Sequence, residues 1–278
     1  MVEDIASVRA ERARYPTDSW GLVPTMGYLH EGHMSLVRRA RSENQHVAVS
    51  IFVNPAQFSN PGDLDQYPRD EARDLAMLED AGTNLVWTPH PDTVYPEGYA
   101  TYVDIGRITE RLEGASRPGH FRGVATVVSK LFNVFEPTRA YFGQKDAQQA
   151  ATMQRMVRDL NFNLDLVICP TIRADDGLAL SSRNARLTDE ERILAPRIYD
   201  AMMAAQRALH AGTVNGGALR ALVIEFISKR PEFRVDYVSI ADTATLRELE
   251  TVDDRALLSV AVFLGDVRLI DNITLDRH

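Results

Sequence analysis

The sequence holds a single cysteine, Cys169, among 278 residues. One thiol excludes an intramolecular disulfide, and without partner thiols it builds no metal cluster. Cys169 reads instead as a small apolar residue at a strand end. Basic residues are in deficit, with 31 Lys and Arg against 39 Asp and Glu and a net charge of −8. General nucleic-acid binding calls for a basic face and is therefore not expected. A local cluster of positive groups can still hold a triphosphate in an acidic chain. No apolar run approaches the roughly 20 residues of a membrane span. The first residues, with Glu3, Asp4 and Glu11 among them, carry no secretory pattern. A soluble, cytoplasmic protein is expected, with neither nucleic acid nor membrane among its partners. Internal repeats and low-complexity tracts are also missing. So are two chemical signatures: no Gly-Lys-Ser/Thr follows a glycine-rich turn, and no H-E-x-x-H pair occurs.

A hydrophobic content of 45% with 25% charged residues is enough for a sizeable core, in one large domain or two ordinary ones. Strand and helix patterns alternate through the first 170 residues. A short amphipathic helix with Ile5 and Val8 inward closes at Tyr15-Pro16. Strands are predicted at Gly21 to Pro24, His46 to Val53, Asn84 to Thr88, Arg139 to Phe142 and Leu164 to Ile168. Helices are predicted from near Glu31 to Ser42, over Asp70 to Ala81, over Val124 to Phe135 and over Asp146 to Asp159. A further strand is expected at Thr101 to Ile105. Near-continuous apolar strands linked by helices describe an α/β fold, a Rossmann-like doubly wound parallel sheet.

The pattern changes after Pro170. Asp175-Asp176-Gly177 is a hairpin-type turn signal. Thr188-Asp189-Glu190-Glu191 is a capping box that should open one long helix to about Ala211, with another over Gly216 to Lys229. Three strand patterns follow, at Arg234 to Ile240, Ala256 to Phe263 and Val267 to Thr274. These predict a smaller C-terminal α+β domain over 172–278, after a catalytic domain over 1–171.

One stretch dominates the chemistry: Pro24-Thr25-Met26-Gly27-Tyr28-Leu29-His30-Glu31-Gly32-His33. An apolar strand ends at Pro24 and a helix opens near Glu31, so unpaired N–H groups and the positive helix end form an anion site. His30 and His33, three apart, project from one side of that helix start. They lie one residue closer than a metalloprotease pair, and Gly32 is a poor helix former. Two imidazoles at an anion site point to a triphosphate held for attack at its α-phosphorus. Gly143-Gln144-Lys145-Asp146 repeats the logic after a later strand, with Lys145 and Gln149 on one face and Asp146 able to cap or to contact ligand. Ser181-Ser182-Arg183 offers hydroxyls and a guanidinium for outer phosphates, or else a solvated turn bent by Asn184. Asn54 and Gln57 lie in a loop at a strand's carboxyl end. Arg117 to Gly123 reads as a glycine-bounded loop suited to covering a site.

The H-x-G-H string resembles the nucleotidylyltransferase superfamily that includes the class I aminoacyl-tRNA synthetases. The longer strings resemble the pantothenate synthetase family more narrowly: Pro24 to His33, Ser50 to Phe58, Arg117 to Gly123, Phe142 to Gln149 and Leu180 to Asn184. The resemblance covers most of residues 20–190. It implies ATP-dependent condensation of (R)-pantoate with β-alanine through a pantoyl adenylate, with Mg²⁺ and a homodimer. It assigns nucleotide binding to Met26, Gly27, Tyr28, Leu29, His30, Glu31, Gly32 and His33, and further to Gly143, Gln144, Lys145 and Asp146. Ile172 falls on an adenine-side contact, and Leu180, Ser181, Ser182 and Arg183 on a phosphate cover. His33 takes the place of the proton donor, with His30 and Lys145 as its catalytic companions. Gln57 and Gln149 match pantoate-holding positions, Gln57 beside the β-alanine site as well. Many relatives have Glu where Gln144 stands, so a charge beside the lysine is missing. A cytidylyltransferase of the same superfamily is the enzymatic alternative, and a nucleotide-binding regulator without turnover the non-enzymatic one.

Overall fold

The computed structural model describes residues 1–59 and 61–277. The chain forms two compact units, one of Met1–Gln144 with Gln149–Pro170, the other of Lys145–Gln148 with the chain from Thr171 onward. The first runs α1 (Ile5–Ala13), β1 (Trp20–Thr25), α2 (Glu31–Glu43), β2 (His46–Ile51), α3 (Pro61–Asp65), α4 (Glu71–Asp80) and β3 (Leu85–Trp87). It continues through α5 (Pro91–Val94), α6 (Glu113–Ser116), α7 (His120–Phe135), β4 (Arg139–Gly143), α8 (Ala147–Asp159) and β5 (Asp165–Cys169). All five strands are parallel, in the order β3-β2-β1-β4-β5. The order reverses between β1 and β4, so the carboxyl ends of those neighbours flank the crevice where ligands bind in open α/β sheets.

Strand alternation distributes the core to both faces of this sheet. Leu22 and Ala48 face the side covered by α7, where Trp20, Trp87, Phe132 and Phe135 are buried together. Val23, Val47 and Val49 face the other side, against Met34, Leu36, Val37 and Ala40 of α2 and Leu78 of α4. Such two-sided burial gives the strands their continuous apolar runs.

The second unit contains α9 (Asp189–Leu194), α10 (Arg197–His210), α11 (Gly216–Ser228), β6 (Phe233–Ala241), β7 (Arg255–Leu264) and β8 (Val267–Asp276). Its three strands form an antiparallel sheet in sequence order. Ile198, Met202, Leu209, Leu219 and Val223 pack against Leu258, Val260, Val262 and Leu269.

Several sequence expectations need correction. Thr101 to Ile105 forms no strand; Val103 and Ile105 are partly buried against the core, and Val103 N–H donates to Thr126 Oγ1 at 3.0 Å instead of to a ladder. Half-burial without a neighbouring strand produced the alternation. The single long helix expected from Thr188 is two, α9 and α10, because Pro196 lacks the N–H that would continue the first. The expected hairpin-type turn at Asp175–Gly177 is present but short, carried by an antiparallel bridge between Arg173 and Ala179. Arg117 to Gly123 is no covering loop: α7 begins at His120, four residues before its expected start, and His120 and Phe121 are buried.

Candidate active site

Beyond β1 the chain turns through Gly27 and Tyr28, both at positive φ (78° and 49°). Glycine adopts this conformation freely, whereas tyrosine does so only when something holds it. Asp74 of α4 does the holding: its carboxylate accepts from Tyr28 N–H at 2.6 Å and Leu29 N–H at 2.7 Å. The side chain is buried at 1% exposure. Burial pushes its pKa above the ordinary carboxylate value, against the pull of the two backbone N–H groups.

Helix α2 then opens on an unusual cap, built from imidazoles instead of hydroxyls or carboxylates. His30 Nδ1 accepts from Gly32 N–H at 3.1 Å, and His33 Nδ1 accepts from His30 N–H at 3.4 Å, a reciprocal capping box. The two rings lie 4.1 Å apart. A backbone N–H can only donate, so each Nδ1 is an unprotonated acceptor and each neutral ring carries its proton on Nε2. The cap thereby fixes the tautomer of both rings, beside the positive helix end.

Beyond β2, Asn54–Gln57 is gathered into a buried polar network. Asn54 Nδ2 donates to Gln57 Oε1 at 3.0 Å and to Gly123 O at 3.2 Å, while Asn54 Oδ1 accepts from Tyr95 O–H at 2.7 Å. Gln57 O accepts from His120 Nδ1 at 2.8 Å. Gln57 Nε2 lies 3.1 Å from Met26 Sδ, joining this loop to the one before α2. A Cβ on Gly123 would stand 2.2 Å from Ala56 O, so only glycine lets α7 approach the loop this closely. Tyr95, half-buried beside Tyr99, has its hydroxyl pKa pushed upward by desolvation. Gln149 is half-buried on α8, in the same unit as Gln57.

The remaining sequence candidates, apart from Gly143 and Gln144 at the end of β4, belong to the second unit. Lys145 Nζ lies 3.7 Å from Asp146 Oδ1, and Lys145 O accepts from Asn272 Nδ2 at 2.8 Å. The neighbouring Asp271, almost fully buried, takes a two-pronged ion pair from Arg173 at 2.5 and 2.9 Å. Desolvation raises the Asp271 pKa and Arg173 opposes it. Ile172 O accepts from Leu180 N–H at 3.0 Å, bracketing the turn that leads to Ser181, Ser182 and Arg183. Ser181 Oγ accepts from Arg183 N–H at 3.3 Å, and Ser182 is buried.

Asp74 and Tyr95 escaped the sequence reading, and His120 was read only as part of a covering loop rather than as a buried partner of Gln57. An acid in a helix reads as exposed, and only the four-residue step from Asp74 to the fully buried Leu78 hints at an inward face.

A parallel sheet reversing at β1 and β4, with an imidazole-capped helix start at a strand's carboxyl end, defines a doubly wound α/β protein built to receive an anionic ligand. The profile of the pantoate-beta-alanine ligase family matches residues 1–274. The chain is 54% identical over 276 residues to a pantothenate synthetase of Roseiflexus sp., covering 99% of each, and 55% identical over 273 residues to that of Chloroflexus aggregans, covering 98% of each. A crystal structure of pantothenate synthetase from Thermus thermophilus superposes with a TM-score of 0.92 at 47% identity, covering 98% of this chain and 97% of that one. That of a Francisella tularensis pantoate-beta-alanine ligase, complexed with beta-gamma ATP and beta-alanine, gives 0.82 at 34% identity with the same coverages. The chain belongs to the pantoate–β-alanine ligase family. It is a ligase of pantothenate biosynthesis, and these relatives give the cytidylyltransferase alternative no support.

Proposed function

We propose that this chain condenses (R)-pantoate with β-alanine at the expense of ATP, by way of a pantoyl adenylate. A carboxylate is a poor electrophile and must first gain a leaving group. The pantoate carboxylate attacks the α-phosphorus; the bond to the bridging oxygen breaks and pyrophosphate departs. Such transfer needs positioning and charge stabilisation more than covalent help from the protein. The β-alanine amine then attacks the acyl carbon, an amide forms, and AMP leaves as the amine loses its proton.

The reciprocal imidazole cap is the observation that carries this reading. His30 and His33 donate from Nε2–H to oxygens of the α-phosphate and of the departing pyrophosphate, beside the N–H groups of α2. Loop residues Met26, Gly27, Tyr28, Leu29, Glu31 and Gly32 shape the nucleotide seat. Gln57 and Gln149 hold pantoate by hydrogen bonds, Gln57 also bordering the β-alanine position. In the second unit Lys145 supplies a point charge to the phosphates, with Gly143, Gln144 and Asp146 flanking it. Ser181, Ser182 and Arg183 hold the outer phosphates, with Leu180 beside them, and Ile172 lines the adenine. The second unit serves as a lid domain that shields the mixed anhydride from water.

Among the described residues no three His, Cys, Asp or Glu side chains cluster in a metal geometry. Mg²⁺ would enter with the nucleotide, and Asp146, whose Oδ1 lies 3.7 Å from Lys145 Nζ, is an acid that would help to hold it. When bound, the ion neutralises charge on the polyphosphate. Chelation with EDTA should therefore abolish turnover without unfolding the chain, and full activity in its presence would remove Mg²⁺ from the proposal.

The chain works as a homodimer in the cytoplasm; among the described residues no helix is long and apolar enough to cross a membrane. Sedimentation as a monomer at micromolar concentration would remove the dimer. The chemistry is tested by pantoate-dependent exchange of pyrophosphate into ATP and by β-alanine-dependent release of AMP. His33→Ala and Lys145→Ala should each lower pyrophosphate release by roughly a hundredfold or more while circular dichroism stays unchanged. Near-normal turnover in both variants would overturn the mechanism.

A further inference from the structure

Asp74 belongs to none of the motifs that carry the ligase reading, yet it grips the loop from which α2 springs. Both carboxylate oxygens are used, one by Tyr28 N–H and one by Leu29 N–H, at 2.6 and 2.7 Å. These are consecutive donors in the turn held at positive φ, and charge-assisted bonds of this length are the strong kind. Gly27 fits the same arrangement, since a Cβ there would lie 3.1 Å from Asp74 Oδ2. Arg73, the next residue on α4, stacks over the Tyr28 ring at 5.5 Å. Helix packing alone does not ask for a carboxylate here: Leu78, one turn on, buries the same face with a hydrocarbon. Keeping an ionisable group in a desolvated position has a free-energy cost, which the two backbone N–H groups offset in part.

We infer that Asp74 is a positioning residue for nucleotide activation: by locking Tyr28 and Leu29 it sets the direction in which the His30–His33 cap faces the triphosphate. The inference rests on the ATP-ligase reading of that cap. Asp74 acts through the backbone that precedes the two imidazoles. A misplacement of that backbone by a fraction of an ångström would lower adenylation while leaving the fold in place.

Asp74→Asn is the informative variant. Its amide oxygen can accept from one of the two N–H groups, but its NH₂ meets the other donor against donor. The pantoate-dependent ATP–pyrophosphate exchange of this variant should lose about tenfold or more in kcat/KM for ATP. The second half-reaction, β-alanine with supplied pantoyl adenylate, places no demand on a triphosphate and should change less than about threefold. Deuterium exchange of the 27–30 segment should quicken in the same variant. Unchanged ATP–pyrophosphate exchange would overturn the proposal, and so would an equal fall in both half-reactions, which marks lost folded protein. A wild-type chain without pantoate-dependent exchange would instead remove the ligase reading, and this inference with it. Should Asp74→Asn fail to fold, Asp74→Glu keeps both oxygens one methylene further out and should show the same split at smaller size.

Discussion

Two imidazoles that would ordinarily read as solvated helix-start residues become specific through which nitrogen they use for the backbone. Nδ1 of both His30 and His33 caps the backbone, which places the proton of each ring on Nε2. At this scale the candidate strings H-x-G-H, Gly143–Asp146 and Ser181–Arg183 were legible because each is contiguous, though each alone also fits a plain cap or turn. What was illegible lies far away in sequence: Asp74 reaches Tyr28 across 46 positions, and His120 reaches Gln57 across 63. Neither separation leaves a local pattern. Gly123 is a further case, a glycine whose need appears only when α7 meets Ala56. Gly123→Ala should destabilise the chain by about 1–3 kcal/mol through overpacking. It should also raise the KM for pantoate more than that for ATP, since the loop that moves carries Gln57. Urea denaturation and steady-state kinetics check the two halves, and a stable variant with unchanged pantoate KM would contradict the close approach.

Elements were read best where both faces of a strand or one face of a helix are buried. The five parallel strands, α2, α4 and α11 fall within a few residues of their expected bounds. Misreadings came where pattern and hydrogen bonding part company. Thr101 to Ile105 alternates without a ladder, and the α9–α10 segment keeps helical spacing across a proline that cannot donate. The short α3, α5 and α6, of four or five residues each, have too few turns to show a period. The capping box at Thr188 was visible because its partner, Glu191, sits three residues on; Thr188 Oγ1 accepts from Glu191 N–H at 3.2 Å and Glu191 Oε2 accepts from Thr188 N–H at 2.9 Å. Thr188→Ala should cost about 1 kcal/mol, read as a lower denaturation midpoint with no change in pyrophosphate exchange. A variant as stable as the parent would mean that α9 does not depend on its cap.

The chain as a whole is acidic and divides into two compact units, each with its own buried core. Multi-unit chains commonly depart from a single all-or-none transition. Guanidinium unfolding followed by far-ultraviolet circular dichroism should therefore be broader than a two-state curve, or resolve into two steps. A single sharp transition seen identically by every probe would argue for one cooperative block. The choice of probe matters here because Trp20 and Trp87, the chain's only two tryptophans, both lie in the core beside α7. Indole emission is thus a built-in reporter of the parallel-sheet unit alone. A fluorescence titration by itself would miss melting of the antiparallel half, whereas a ligand that perturbs that emission must be felt in the parallel-sheet unit.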